Sequence, residues 1–535
     1  MPLVTWNLLP VLIPIALILC GLLGCREKST SVAQTAVWLS RGLLCLYGLN
    51  LAAYFFLSTP EPAQQLLRHT ELSQIMLALI VIMSWVLFRF SRNYMNGQAN
   101  LPRYYRWLMF TLASVAVTVM SNHLVLFWLG WFCISLSLHN LLTFFPDRPR
   151  AILAAHKKFI LARIAELTLL IAFVLLYQQH QSVYISSLLS SLTEPLKMGQ
   201  PLAWQDQLAA CLIALAALIK CAQLPFHGWL IQVVESPTPV SALLHAGVIN
   251  LGGYMLLLFA PLVSQSAPAI WLLLIVAGLS TLASSLVMTT RISVKVRLAW
   301  STSAQMGLML LEFALGLYEL VLLHLLAHSF YKAYSFLNSS NAINDYLRLA
   351  LCAPTKYQAN KPVFPTMKDW SLALIIATFC VVAVRFAFHF DSAFSTWWLF
   401  ALALSILLVQ WRSSEHSVSW LRSFVTGLAL TLIYAALKSL MWFALPAETN
   451  HVAAFSYPDI WAMSLFTLLF TINLLLHYQI HWPWVRRLSM TLFAGLYLDE
   501  WVTRAVLKIW PVTLPARSKQ KHSTSPSQLS LPKHY

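Results

Sequence analysis

Charge is what this sequence has least of. Of its 535 residues 10% are charged and 59% hydrophobic, whereas a soluble protein carries about 25% charged residues. A chain so poor in charge cannot hide its apolar surface in one soluble core. Acidic residues are scarcer still, 18 against 35 Lys and Arg. The eight cysteines, at 20, 25, 45, 133, 211, 221, 352 and 380, form no CxxC pair and fall mostly in apolar runs. That argues against a disulfide framework and against iron–sulfur ligation. No phosphate-binding GxxxxGKS/T loop and no HExxH metal signature occurs, so neither ATP drive nor a zincin site is expected in this chain. The first apolar run lacks a basic n-region and a clear small-residue cleavage site before Arg26, and is read as a span rather than a signal peptide.

What the sequence has instead is long apolar runs, each about the 20 residues a bilayer crossing needs. Fifteen spans are expected, near 7–24, 32–58, 74–90, 105–121, 123–145, 159–178, 207–234 with a break, 239–262, 268–290, 296–317, 318–340, 370–390, 395–411, 423–446 and 457–479. The fold class is therefore an all-α polytopic membrane protein. The formal charge of +17 would suggest nucleic acid in a soluble chain, but here the basic residues alternate between loops. Twenty-seven of the 35 fall on one set of loops or after the last span, and only Arg68 and Lys197 fall on the other. By the positive-inside rule the N-terminus of this multi-pass protein is outside and the C-terminus cytoplasmic. No nucleic-acid partner is expected; the partner the charge pattern implies is the lipid bilayer.

Six basic residues remain inside spans: Arg41, Arg163, Lys220, Lys332, Arg385 and Lys438. Arg41 and Arg385 lie near span ends, where a long side chain reaches the interface. A lysine deep in a span costs several kcal/mol and faces a partner or a wet cavity, which makes Lys220 and Lys332 candidate functional groups. Lys438 lies roughly 12 Å from its span's end at 1.5 Å per residue, so interface anchoring and function are both open for it. Lys220 sits in Leu218-Ile219-Lys220-Cys221-Ala222-Gln223-Leu224-Pro225, and Pro225 must kink or break that span. A broken helix bares backbone groups that only protein or water can satisfy at membrane depth, an arrangement found at ion sites of transporters.

Downstream, Glu235-Ser236-Pro237-Thr238-Pro239 stops one helix and starts another, with Thr238 as candidate cap. Glu235 reads either as an exposed cap or as the mouth of a proton path. His245, two turns into the next span, reads either as an interhelical hydrogen-bonding group or as part of that path. In the span 318–340, His324, His328 and Lys332 recur every four residues, so all three share one helix face along about 12 Å of axis. Two imidazoles and an amine in an apolar span form a proton-relay pattern. Metal binding by the two histidines is the rival, without a third ligand at suitable spacing. Arg163 and Glu166, three apart, either neutralise each other or tune Lys220.

Lys220 to Leu230, the stretch Glu235 to Ala246, Ser301-Thr302-Ser303-Ala304-Gln305-Met306-Gly307, the His324/His328/Lys332 span and Gly495-Leu496-Tyr497-Leu498-Asp499-Glu500 together resemble the proton-translocating antiporter family. That family includes the L subunit of respiratory complex I and the large subunits of multisubunit cation/proton antiporters. The resemblance runs from about 105 to 340, with weaker matches beyond. It implies two inverted five-helix repeats with broken helices and a buried polar axis that conducts protons. Lys220 and Lys332 would be the central lysines of that axis, and His245, His324 and His328 its bridging histidines. The implied organisation is N-terminal helices over 1–104, repeats over 105–262 and 268–446, a last span with an amphipathic segment over 447–510, and a basic tail over 511–535.

The chain departs from the family where a glutamate commonly follows Gly-Trp: here Phe132 follows Gly130-Trp131. No second-repeat counterpart of Lys220 is identifiable, with Arg385, His389 and Lys438 as candidates. The tail after the last span is short. With Ser135-Leu136-Ser137-Leu138-His139 and His245 to Tyr254, the pattern is most similar to the DabB-type membrane subunits of inorganic carbon pumps. That similarity implies a peripheral DabA-type zinc subunit, resembling a β-carbonic anhydrase, which would hydrate CO2 to bicarbonate while this chain passes protons or Na+. On this reading the chain is not itself an enzyme and holds no cofactor or metal of its own, zinc being the partner's. A respiratory proton-pumping subunit, or a subunit of a multisubunit Na+/H+ antiporter, is the alternative.

Overall fold

The computed structural model describes residues 6–24, 29–56, 65–197, 201–352, 365–390, 393–414, 419–442, 456–479 and 481–512. The expectations for Arg26, Lys28, Lys356, Lys361 and the tail from 513 lie outside these residues. The described chain is helical throughout, with two isolated bridges, Leu67 to Ser121 and His123 to Tyr184. In order the helices are α1 (Leu12–Leu23), α2 (Ser29–Phe56), α3 (Glu71–Tyr94), α4 (Leu101–Met120), α5 (Leu124–Leu142), α6 (Pro149–His180), α7 (Ile185–Lys197) and α8 (Trp204–Lys220). Then follow α9 (Gly228–Gln232), α10 (Thr238–Ala246), α11 (Leu251–Leu258), α12 (Ala260–Val263), α13 (Ala267–Thr289), α14 (Val294–Ala314) and α15 (Tyr318–Leu337). The chain ends with α16 (Ala342–Cys352), α17 (Met367–Ala387), α18 (Phe394–Ser414), α19 (Trp420–Trp442), α20 (Tyr457–Tyr478), α21 (Pro483–Phe493) and α22 (Leu498–Ile509).

Eleven candidate spans among the described residues are long and apolar enough to cross a bilayer, fewer than the fifteen expected from the sequence. The runs near 7–24, 105–121, 207–234 and 296–317 do not qualify. They correspond to α1, α4, the broken α8–α9 unit and α14, which are too short or too polar. The apolar pattern shows which way each span faces. On α6, Ile164, Leu167, Ile171 and Val174 form one exposed apolar face while Glu166 is buried on another, so lipid and polar interior are served by opposite sides of one helix. One large core runs from α1 to α15, with α4 on α5, α6 on α8, α13 on α14 and α10 on α15. A second, smaller core joins α17, α18, α19 and α20.

Two spans are broken. Helix α8 stops at Lys220, and the chain turns through Ala222, left-handed at φ 50°, before restarting at Gly228. The bared backbone groups are satisfied from neighbouring helices, as membrane depth demands. Leu224 N donates to Ser280 Oγ at 3.0 Å, and Ser303 Oγ donates to the Ala222 carbonyl at 3.1 Å. Gln223 donates to the Cys221 and Ser303 carbonyls at 2.8 and 3.3 Å. Gly307 is glycine because a Cβ there would collide with Thr281, Gln223 and the Ala277 carbonyl. The apolar run 239–262, expected as one span, is also interrupted: α10 ends at Ala246, and Val248–Asn250 form a 3-10 turn before α11.

Three further expectations are corrected. Thr238 does not cap α10; its cap position is Pro237, and the Thr238 hydroxyl instead donates to Tyr94 and accepts from Lys295. Lys157 and Lys158, counted as loop residues, lie inside α6 and are buried, because that helix extends back to Pro149. The amphipathic segment expected after the last span is not one helix but two, α21 and α22, separated by a turn at Gly495–Tyr497.

Candidate ion-conducting axis

The break after α8 places Lys220 at a helix end inside the protein, beside α5 and α6. Its Nζ lies 4.4 Å from the centre of the Trp131 ring and has no hydrogen-bond partner among the described residues. Glu166 and Arg163 are within electrostatic reach of it, and so is Lys158. The expected Arg163–Glu166 pair forms at 2.8 Å, and Ser135 ties it together by accepting from Arg163 and donating to Glu166. Lys158 donates to the Ser135 carbonyl at 3.1 Å. At Phe132, where the family commonly has glutamate, the ring lies 4.2 Å beneath the Arg163 guanidinium. One carboxylate, Glu166 on the helix that follows Phe132, therefore faces three cationic side chains.

A cavity of about 20 Å³ lies between Trp131, Lys158, Lys220, Leu244 and Ile249. That is space for about one water molecule. It leads from Lys220 toward α10, where His245 is fully buried with Nδ1 3.1 Å from Thr302 Oγ1 and its ring stacked 4.2 Å from Phe336. The α10 break is held by Asn250, which donates to Ser329 Oγ at 2.7 Å and to the Ala246 carbonyl at 3.0 Å.

Helix α15 carries the expected row. Lys332, fully buried, donates to Ser301 Oγ at 2.7 Å and to the Leu298 carbonyl at 3.2 Å. His328 has neither ring nitrogen bonded among the described residues, and it lies within electrostatic reach of His324, Lys332 and His245. The His324 and His328 rings are 6.0 Å apart, and His324 Nδ1 is 3.0 Å from a Glu312 carboxylate oxygen. Lys438 on α19 lies 3.4 Å from Glu319, both side chains almost fully buried.

The structure thus gathers Lys220 with Glu166, and His245 with His324, His328 and Lys332, while Lys438 joins the far end through Glu319. Glu235 stands apart at the rim, 3.5 Å from the exposed Arg150, with its carbonyl accepting from Arg148 at 2.6 Å. Sequence reasoning missed Glu312, Glu319 and Lys158. The two glutamates bracket the turn between α14 and α15, seven positions apart; with so few carboxylates in the chain, each one inside an apolar run was a signal.

The family model described as NADH:quinone oxidoreductase/Mrp antiporter, TM, matches residues 121–410. The chain belongs to this family. The match covers every residue of the axis except Lys438. Among curated relatives, the chain is 43% identical over 97% of both lengths to the "Probable inorganic carbon transporter subunit DabB" of Hydrogenovibrio crunogenus. It is 34% identical to the corresponding subunit DabB2 of Halothiobacillus neapolitanus, over 85% of this chain and 82% of that one. To the NADH-ubiquinone oxidoreductase chain 5 of Papio hamadryas it is 28% identical, over 63% of this chain and 55% of the relative. Among solved structures, the Mrp complex of Dietzia sp. DQ12-45-1b aligns at TM-score 0.63 and 18% identity, covering 94% of this chain and 60% of that one. This last likeness shows the fold.

Proposed function

We propose that this chain is the ion-conducting membrane subunit of an energy-coupled inorganic carbon uptake complex. Conduction is supported by the buried row of titratable groups: Lys220 with Glu166, then His245, Lys332, His328 and His324, then Glu312, Glu319 and Lys438. Glu235 would stand at the rim. The carbon substrate rests on the near full-length similarity to DabB. In this reading protons or Na+ move down their gradient through the chain, which lies in a bacterial inner membrane with its N-terminus periplasmic and C-terminus cytoplasmic. The movement drives or gates CO2 hydration by a DabA-type zinc subunit bound on the cytoplasmic side. This chain contributes no chemistry to that hydration.

The test is growth of a carbonic-anhydrase-deficient host carrying the complex. K220A and K332A are each expected to abolish rescue at low CO2 while expression and membrane insertion stay normal. Full rescue by both would remove them from the path. The second reading, a respiratory or antiporter subunit, is favoured by the similarity to NADH-ubiquinone oxidoreductase chain 5. Copurification separates the two: a single soluble zinc protein supports carbon uptake, and a set of quinone-reductase or antiporter subunits supports the rival.

A further inference from the structure

A cavity of about 370 Å³ lies away from the axis, beneath the break in α8. The carboxyl-terminal helices form one wall of it. There the chain turns through three left-handed residues, Gly495 (φ 73°), Leu496 (58°) and Tyr497 (57°). Two of these are not glycine, a strained conformation that persists only where the surroundings impose it. The turn starts α22 in the direction that inserts Asp499 into the mouth of the broken helix.

Asp499 is gripped from two other helices. Lys157 of α6, whose side chain is fully buried, donates to its two carboxylate oxygens at 3.0 and 2.7 Å, and Gln232 of α9 donates at 2.9 Å. Lys157 also donates to Thr503, one turn along α22, at 2.6 Å. A Cβ at position 228 would overlap the Asp499 carboxylate, so the residue that restarts the helix is a glycine that makes room for it. Beneath lies His227, the last residue of the break, 1% exposed, with Nδ1 unpartnered among the described residues and Asp499 and Lys157 both within electrostatic reach. Asp499 itself keeps 27% of its side chain open to the cavity.

From this arrangement we infer that Asp499 and His227 are the proton-loading groups of this mouth, taking protons from the water of the cavity at the break that follows Lys220. A hydronium ion gives its proton to an Asp499 carboxylate oxygen and leaves as water. The carboxylic acid passes the proton to the His227 imidazole and returns to carboxylate, and the imidazolium releases it inward to the conducting row. Lys157 stays charged throughout and is a positioning residue. The other charged groups facing Asp499 are Glu500 and Arg504 on its own helix and Arg291 from the turn before α14. The inference rests on the reading of the chain as a proton conductor, and it adds a loading site that the row of axis residues does not contain.

The test uses the full chain with its copurifying partner, reconstituted into liposomes. A potassium diffusion potential drives proton flux, read by an internal pH dye. D499N, which can still accept from Gln232, is expected to lower flux about a hundredfold or more, the range that a positioned proton-transfer group contributes. Raising the concentration of a membrane-impermeant buffer restores it, because buffer then delivers protons that the side chain no longer collects; D499E conducts at near the parent rate without that help. Loss in D499N that no buffer restores would assign Asp499 a purely structural role and overturn the inference, as would parent-level flux in D499N alongside a dead K332A. Parent-level flux in K332A would instead overturn the underlying reading, and the inference with it. If D499N does not assemble, H227Q carries the same buffer test with the same two outcomes.

Discussion

Glu166 is the residue on which the first cluster balances. It is buried against Arg163 and Ser135, with Lys158 and Lys220 close by, so one negative charge offsets several positive ones where water screens little. Removing one partner of a buried pair leaves an uncompensated charge and costs about 3–5 kcal/mol, whereas removing both costs less. E166Q is therefore expected to lower the thermal stability of the detergent-solubilised protein markedly, and E166Q/R163Q to recover part of the loss, as read by a fluorescence melting curve. The same logic applies at the other end of the axis. Lys438 and Glu319 are both about 5% exposed and 3.4 Å apart, so K438M and E319Q should each destabilise. Their double-mutant coupling should fall within about 0.5–3 kcal/mol, the range for residues in contact. A lysine that only anchored its helix at the interface would show no coupling.

The elements that matter are those that fail to be regular helices. Pro225 marks the break in α8 in the sequence itself, since a proline cannot continue the hydrogen-bond ladder. The second break, at Gly247–Asn250, was not legible: no proline falls between Val240 and Ala260, and the interruption depends on Asn250 finding Ser329 on a helix 79 positions away. The row on α15 was legible because a period of four is intrinsic to one helix. The pairings of Glu312 and Lys158 were not, because their partners, His324 and the Ser135 carbonyl, lie on other elements. Lys157 was misread as a loop residue because its helix continues past the apolar run, and its partner Asp499 is 342 positions away. Gly307 offers a test at this scale. An alanine there would push on Thr281, Gln223 and the Ala277 carbonyl together, and overpacking of this kind costs typically about 1–3 kcal/mol. G307A should lower stability by that order and should also depress proton flux, since Gln223 is part of the break that follows Lys220; a variant as stable and as active as the parent would show that the α13–α14 contact yields without disturbing the break.

At the scale of the whole molecule, the open question is which way up it sits. With Lys157 and Lys158 moved from loop to interior, the basic residues still fall overwhelmingly on one set of loops and on the segment after α20, against Arg68 and Lys197 on the other. Charge near the ends of spans sets orientation because lysine and arginine resist crossing the membrane. The two lysines subtracted leave the sign of that bias unchanged. Their burial also explains how they are tolerated, since one is neutralised by Asp499 and the other donates to the Ser135 carbonyl. A fluorescent protein fused after residue 535 should therefore fold and fluoresce, as it does only in the cytoplasm, and a phosphatase inserted after residue 199, between α7 and α8, should be active, as it is only outside. The cavity beneath α8, with Arg291 and α22 in its walls, would then open to the cytoplasm, and the proton-loading site would face the same side as the proposed hydratase. The opposite pair of reporter signals would invert the molecule and place that cavity, with Asp499, on the periplasmic side, where the same residues would collect protons from outside rather than exchange them with a cytoplasmic partner.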